Sequence, residues 1–103
     1  MNSDRIKMLE QFIADDPNDP FNHYALALEL MKSDKDQAKK IFDQLISAHP
    51  EYVPSYYQAA LLYLEFSLSD EAVKIINQGI TEAKKQNELK ALNELRSLLD
   101  EMD

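Results

Sequence analysis

The chain has 103 residues, a length that allows one domain at most. Hydrophobic residues make up 45% of it, which is enough for a modest core. Its formal charge of −8 disfavours nucleic acid and anionic membranes as partners, because both require a cationic surface. The absence of Cys excludes a disulfide framework and a cysteine nucleophile. Because the first residues also lack an apolar run of signal-peptide length, a cytoplasmic location is predicted.

The first predicted pair of helices lies between residues 20 and 48. The stretch from Pro20 to Lys32 opens with a proline, which suits the first position of a helix because that position needs no N–H donor. Asp34 or Asp36 can then cap a second helix, which runs to about Ala48 with apolar residues at spacings of three and four. This stretch therefore predicts a helical hairpin.

A second pair and a last helix follow. The third predicted helix covers about Val53 to Phe66, and Asp70 or Ser69 starts a fourth. After a turn near residues 86–87, a last helix spans about 88–102, with one apolar and one polar face. Its predicted apolar face consists of Leu89, Leu92, Leu95, Leu99 and Met102. One apolar and one polar side are what a terminal cap of a repeat array requires.

The two predicted hairpins are copies of one another. Matching residues lie 33 apart in the first half of each copy and 34 apart in the second half. The matches include Pro17 with Pro50, Tyr24 with Tyr57, Ala27 with Ala60, Ala38 with Ala72, Ile41 with Ile75 and Gln44 with Gln78. The register extends backward, since Lys7, Leu9, Gln11 and Ile13 correspond to Lys40, Phe42, Gln44 and Ile46. The first helix is therefore predicted to be the second half of a truncated repeat.

These residues resemble the tetratricopeptide repeat, in which a bulky residue, a Leu, a small residue and an aromatic precede an Ala, a bulky residue and a Pro. His23, Leu26, Ala27, Leu30, Ala38, Phe42 and Pro50 hold these places in the first copy. Tyr56, Ala59, Ala60, Tyr63, Ala72 and Ile76 hold them in the second. The arrangement of a half repeat, two repeats and one capping helix also resembles short bacterial proteins of this family with no assigned activity.

The resemblance implies an all-α fold, an α-α superhelix in a single domain over residues 1–103. It would contain one N-terminal half-repeat helix, helix-turn-helix repeats at about 20–52 and 53–86, and a capping helix at about 88–102. Several positions depart from the family pattern. His23 stands where a large apolar residue is usual, Leu45 replaces an Ala, and the Gly that joins the paired helices is missing near Ser33 and Ser67.

The sequence offers no constellation for catalysis. The only histidines, His23 and His49, have no His or Glu three or four residues away, as a metal site would require. We interpret His23 as a ring at the edge of the core and His49 as a turn residue. The acidic turn at 15–19 lacks the Gly and the closing Glu of a calcium loop. A single Gly, Gly79, cannot form a phosphate-binding loop. We therefore predict a non-enzymatic protein with no catalytic residue, metal, cofactor or small-molecule substrate.

In the family, the first helix of each pair lines a concave side, so the resemblance implies a binding groove there. Its residues would be Phe21, Tyr24, Leu28, Met31, Tyr57, Leu61 and Leu64. Three coverings of this apolar stripe compete: the chain's own helices, an apolar peptide or helix of another protein, and a second copy in a homodimer. The preferred hypothesis is a protein–protein interaction module, and the alternative is a homo-oligomerisation domain that uses the same face.

Overall fold

A computed structural model describes residues 2–102, which form six α-helices and contain no β-strand. The helices are α1 (Asn2–Asp15), α2 (Pro20–Leu30), α3 (Lys35–Ala48), α4 (Pro54–Glu65), α5 (Ser69–Gln86) and α6 (Leu89–Glu101). The chain divides into two compact units, Met1–His49 with the first three helices and Pro50–Asp103 with the last three. The predicted all-α class is confirmed, with helix ends within about two residues of those expected.

The second and third helices of unit 1 begin where side-chain oxygens replace missing backbone partners. The Asp19 carboxylate accepts a hydrogen bond from the Phe21 N–H at 3.0 Å and caps α2, which has Pro20 in its first turn. The Asp34 carboxylate accepts from the Gln37 N–H at 3.2 Å and caps α3. Of the two candidate caps, Asp34 therefore has this role, and Asp36 lies in the first turn.

In unit 1, α2 packs against both α1 and α3. The largest fully buried side chain of the unit is Phe42, whose ring meets that of Tyr24 edge to face at a centroid distance of 6.4 Å. Ala27 and Ala38 are fully buried, as expected where two helices approach closely. Among the described residues of the unit, the buried apolar side chains are Leu9, Ala25, Leu26, Ala27, Ala38, Ile41, Phe42 and Leu45.

In unit 2, α5 packs against both α4 and α6. Ala60 and Ala72 are fully buried, which matches the alanines of unit 1. The predicted apolar face of the last helix is wrong at Leu89, which is 60% exposed, whereas Leu98 is only 6% exposed. Helical periodicity gives the direction of a side chain around the axis, but not whether a neighbouring helix extends to that level.

Two turns of unit 2 use the left-handed backbone conformation. Ser67, between α4 and α5, has a φ of 60°, and Asn87, after α5, has a φ of 58°. Asn tolerates this conformation, and its N–H bonds to the carbonyls that end α5. Ser67 occupies the turn where the family usually has a Gly, so this turn keeps the left-handed conformation without the residue that favours it.

Ser55 gives the first testable prediction. It is fully buried in the first turn of α4, and its Oγ has no hydrogen-bond partner among residues 2–102. Because a buried hydroxyl without a partner has lost its water and gained nothing, Ser55→Ala should raise the free energy of unfolding by about 1 kcal/mol. Urea denaturation measures the change, with Ser97→Ala on the exposed side of α6 as the control. A loss of stability in Ser55→Ala would contradict this prediction.

The single domain over residues 1–103, with repeats at about 20–52 and 53–86, stays a prediction. Within residues 2–102, every helix is too short or too polar to cross a bilayer.

Candidate functional site

Unit 1 carries four residues of the predicted binding stripe, on α2 and at its C-terminal end. Phe21 is 57% exposed, and Tyr24, Leu28 and Met31 are half-buried. Residues three, four and seven positions apart share one side of a helix, so these side chains face the same way. Tyr24 is held at its inner edge by the ring of Phe42. The stripe is therefore partly open and rests on the core of the unit.

Unit 2 carries the remaining three residues of the predicted stripe on α4. Tyr57, Leu61 and Leu64 are all half-buried, whereas Tyr56, Ala59, Ala60 and Tyr63 on the adjoining side of the same helix are buried. The structure thus separates an inner side of α4 from a partly open side, as the sequence pattern predicts. That the stripes of α2 and α4 line one concave groove stays a prediction.

A cavity lies elsewhere in unit 1, between the turn that precedes α2 and the C-terminal half of α3. Its volume is 180 Å³, and we call it the unit 1 cavity. It is lined by Pro17, Asn18, His23, Ile41, Gln44, Leu45, Ala48 and His49. His23 Nε2 donates a hydrogen bond to the Pro17 carbonyl oxygen at 2.8 Å, because a carbonyl can only accept. The wall is apolar along α3, and polar groups surround it.

Unit 2 has a phenol at the position that corresponds to His23. Tyr56 is fully buried, its Oη donates to the Pro50 carbonyl oxygen at 2.5 Å, and Gln78 Nε2 donates to that Oη at 3.3 Å. Burial raises the pKa of the Tyr56 hydroxyl above its ordinary value, and the Glu82 carboxylate raises it further. The hydroxyl therefore stays protonated at neutral pH and keeps its bond to Pro50.

The two units differ in side-chain size at two corresponding positions, one on each helix of the pair. In the repeat register Leu45 corresponds to Gly79, and a Cβ on Gly79 would lie only 2.6 Å from the Cβ of Tyr56. Unit 2 therefore combines a large ring on α4 with no side chain on α5. Unit 1 combines the smaller ring of His23 with the full side chain of Leu45, and both residues line the unit 1 cavity.

The cavity brings together the two histidines that the sequence placed in unrelated roles. The eight described residues that line it include no Asp or Glu. Within residues 2–102, no group of three His, Cys, Asp or Glu side chains is arranged to hold a metal ion. The predicted edge position of His23 agrees with its half-buried ring.

Sequence reasoning missed two apolar side chains on α1. Met8 and Phe12 are 48% and 44% exposed, and they correspond in the repeat register to the buried Ile41 and Leu45 of α3. Within residues 2–102, α1 has no preceding helix of the kind that α2 provides for α3. The backward register of the half repeat was the signal that could have identified this open face.

Helix pairs joined by short turns and closed by buried alanines define an α-helical repeat protein. A model of the tetratricopeptide repeat family matches residues 23–52. The solution NMR structure of a tetratricopeptide repeat domain protein from Salinibacter ruber is 38% identical, with 81% of this chain and 85% of that chain covered and a TM-score of 0.76. The chain belongs to the tetratricopeptide repeat family.

Two further solved structures are similar to this chain. A crystal structure of a tetratricopeptide repeat domain protein from Salinibacter ruber is 37% identical over 78% of this chain and 90% of that chain, with a TM-score of 0.74. A crystal structure of MamA is 25% identical over 84% of this chain and 48% of that chain, with a TM-score of 0.73. No curated protein matches the chain. The predicted resemblance to short bacterial proteins of this family is confirmed.

Proposed function

We propose that this chain is a non-enzymatic, cytoplasmic protein–protein interaction module that binds an apolar peptide or helix of another protein. The observation that carries the proposal is the partly open stripe on the first helix of each pair, with Tyr24 in unit 1 and Tyr57 in unit 2. Half-buried tyrosines are effective anchors because they are rigid, offer large apolar surfaces and keep a polar tip. Membership of a repeat family whose members hold other proteins supports the same role.

The chemistry of the stripe limits the kind of partner. Its seven residues are aromatic or aliphatic, and none carries a formal charge. A bound segment must therefore provide apolar side chains at helical or extended spacing rather than a terminal carboxylate. Because the chain has a formal charge of −8, basic residues that flank such an apolar segment would speed its association.

The test is the double substitution Tyr57→Ala and Leu61→Ala. Because interface aromatics in packed positions contribute about 2 kcal/mol or more, the variant should bind its partner at least about tenfold more weakly. Affinity purification from the native host with mass spectrometry identifies the partner, and titration of that partner measures Kd for both proteins. Leu89→Ala is the matched control, because Leu89 is apolar and exposed in the same unit but lies outside the stripe.

Circular dichroism and thermal melting must show that the double variant keeps its fold. If the folded variant retains every partner with unchanged Kd, the stripe is not the binding face. Light scattering tests the alternative of homo-oligomerisation. A monomer mass that is independent of concentration eliminates the alternative, whereas a dimer that Tyr57→Ala with Leu61→Ala dissociates replaces the present proposal by self-assembly.

A further inference from the structure

The geometry points to the unit 1 cavity as a second binding site, which receives one phenolic side chain, a tyrosine, from a partner protein. This site is distinct from the stripe of the proposed function. His23, which lines the cavity, and Tyr24, which belongs to the stripe, are consecutive residues of α2, and consecutive residues point about 100° apart around a helix.

The size of the cavity fits a single aromatic ring. Its volume is 180 Å³, and a cavity of about 150 Å³ lined by apolar side chains is known to hold benzene. Ile41, Leu45 and Ala48 give an apolar wall against which the face of a ring can pack. Two buried leucine-sized side chains on one wall and an open mouth favour a flat occupant that enters from the surface.

Unit 2 contains an internal template for the occupant. The Tyr56 hydroxyl meets the Pro50 carbonyl and the Gln78 amide, and the carboxylates of Glu51 and Glu82 lie near enough to raise its pKa. In the repeat register the counterparts of these four residues all line the unit 1 cavity. They are Pro17, Asn18, Gln44 and Ala48. The cavity therefore keeps the counterparts of the residues around a phenol. Its own unit provides only the smaller ring of His23, which bonds to the Pro17 carbonyl and leaves the Gln44 amide for an occupant.

The differences between the units define the charge of the occupant. Glu51 and Glu82 of unit 2 are replaced in unit 1 by the uncharged Asn18 and Ala48, and no described residue of the cavity lining is acidic. The lining therefore offers no carboxylate partner to a lysine or arginine side chain. A neutral ring with one hydroxyl group suits the lining, because the Gln44 amide can pair with that hydroxyl as Gln78 pairs with Tyr56.

The shape of the site favours a side chain of a protein over a free small molecule. The cavity is open to solvent, since Pro17, Asn18, Gln44 and Ala48 are exposed residues. A single ring in an open site buries little surface and binds weakly alone, because loss of translational freedom opposes association. A tyrosine on a larger partner avoids this limit, because the rest of the partner's surface contributes the remaining affinity.

The first experiment uses 4-methylphenol, the side-chain analogue of tyrosine, and follows backbone amides by NMR during a titration of the full chain. We expect chemical-shift changes confined to residues 17–23 and 41–49, with a Kd in the millimolar range. Toluene, which lacks the hydroxyl, should bind at least about threefold more weakly, because it leaves the Gln44 amide without a new partner. The anion 4-methylbenzoate should also bind more weakly than 4-methylphenol.

Two variants close the site in different ways. Ala48→Leu places a larger side chain at the exposed mouth, and His23→Tyr fills the interior from α2. Each should weaken 4-methylphenol binding at least about tenfold, and Ala48→Leu keeps the test valid if His23→Tyr does not fold. Leu89→Ala in unit 2 should leave the binding unchanged.

The second experiment titrates Tyr57→Ala with Leu61→Ala, which should bind 4-methylphenol with the wild-type Kd whether or not the stripe binds a partner. Failure of the stripe is therefore distinguishable from failure of this site. Three results would overturn the proposal: shift changes at α2 stripe residues 24–31 alone, unchanged binding in Ala48→Leu, or toluene or 4-methylbenzoate binding as tightly as 4-methylphenol.

Discussion

Gly79→Ala is expected to lower the free energy of unfolding by about 2 kcal/mol, although alanine is the better helix former. A Cβ at residue 79 would lie 2.6 Å from the Cβ and 2.8 Å from the Cγ of Tyr56. These atoms are next to the backbone of α4, so no rotation of the Tyr56 ring can remove the overlap. The steric cost of overpacking, about 1–3 kcal/mol or more, outweighs the gain of about 1 kcal/mol in helix propensity.

A second contact also predicts that Gly79→Ala lowers the free energy of unfolding. The same Cβ would lie 3.0 Å from Leu95 Cδ1, so α5 is confined between α4 and α6 at this level. A shift of α5 away from Tyr56 therefore presses it toward Leu95. Thermal melting of the variant should show a decrease of about 10 °C in Tm, as expected for a chain of this size.

Asn77→Ala is the matched control for Gly79→Ala, because Asn77 lies on the exposed side of the same helix. Its stability should stay within about 0.5 kcal/mol of wild type, or increase slightly through helix propensity. A Gly79→Ala variant as stable as the Asn77→Ala control would mean that α4 and α5 are farther apart than the structure shows.

The helices and their inner faces could be predicted from the sequence because they depend on local and periodic signals. Pro20 and Asp19 start α2 through backbone geometry and a side-chain cap, and both can be read from neighbouring residues. Ala27 and Ala60 recur at one repeat period and are buried as expected. Such signals identify the side of a helix that packs, but not the distance to its neighbour.

That distance explains what sequence reasoning missed. Gly79 is an ordinary residue of an uninterrupted helix, and only its opposition to Tyr56 gives it a role. The departures at His23 and Leu45 were visible as changes of size, but only the structure shows that both residues line one cavity. One repeat has a small ring and a large aliphatic side chain where the other has a large ring and a Gly. The sequence reveals this compensation only once the two positions are known to face each other.

The predicted stripe shows the same limit. Periodicity separates the partly open Tyr57 side of α4 from the buried Tyr56 side, and the structure agrees. Whether a partner covers the open side depends on a second molecule, which neither helical periodicity nor the packing of this chain encodes. The direction of the stripe was thus predictable, whereas its occupant requires the binding experiment.

Phe42→Ala is expected to have the largest effect on stability, a loss of about 4 kcal/mol. Phe42 is fully buried on α3, so truncation removes a whole ring from the core of unit 1 and leaves a cavity that the neighbouring helices only partly close. The variant also loses the edge-to-face contact with Tyr24 at 6.4 Å, which contributes about 1 kcal/mol beyond the buried area. Since domains of this size have only about 5–15 kcal/mol of stability, Phe42→Ala should remove a large part of it.

Phe21→Ala is the control, because it removes the same ring from a position on α2 that is 57% exposed. Its stability should change by no more than about 0.5 kcal/mol, so urea denaturation at low temperature should separate the two variants by about 3 kcal/mol or more. Phe42→Leu should recover most of the loss, because a leucine refills much of the volume.

Equal losses in Phe42→Ala and Phe21→Ala would show that the Phe42 ring is not enclosed. The packing of α3 on α2 would then differ from that described. A large loss confined to Phe42→Ala would mean that the exposed Phe21 ring contributes little to the core, so Phe21 can be altered for binding studies without unfolding the unit.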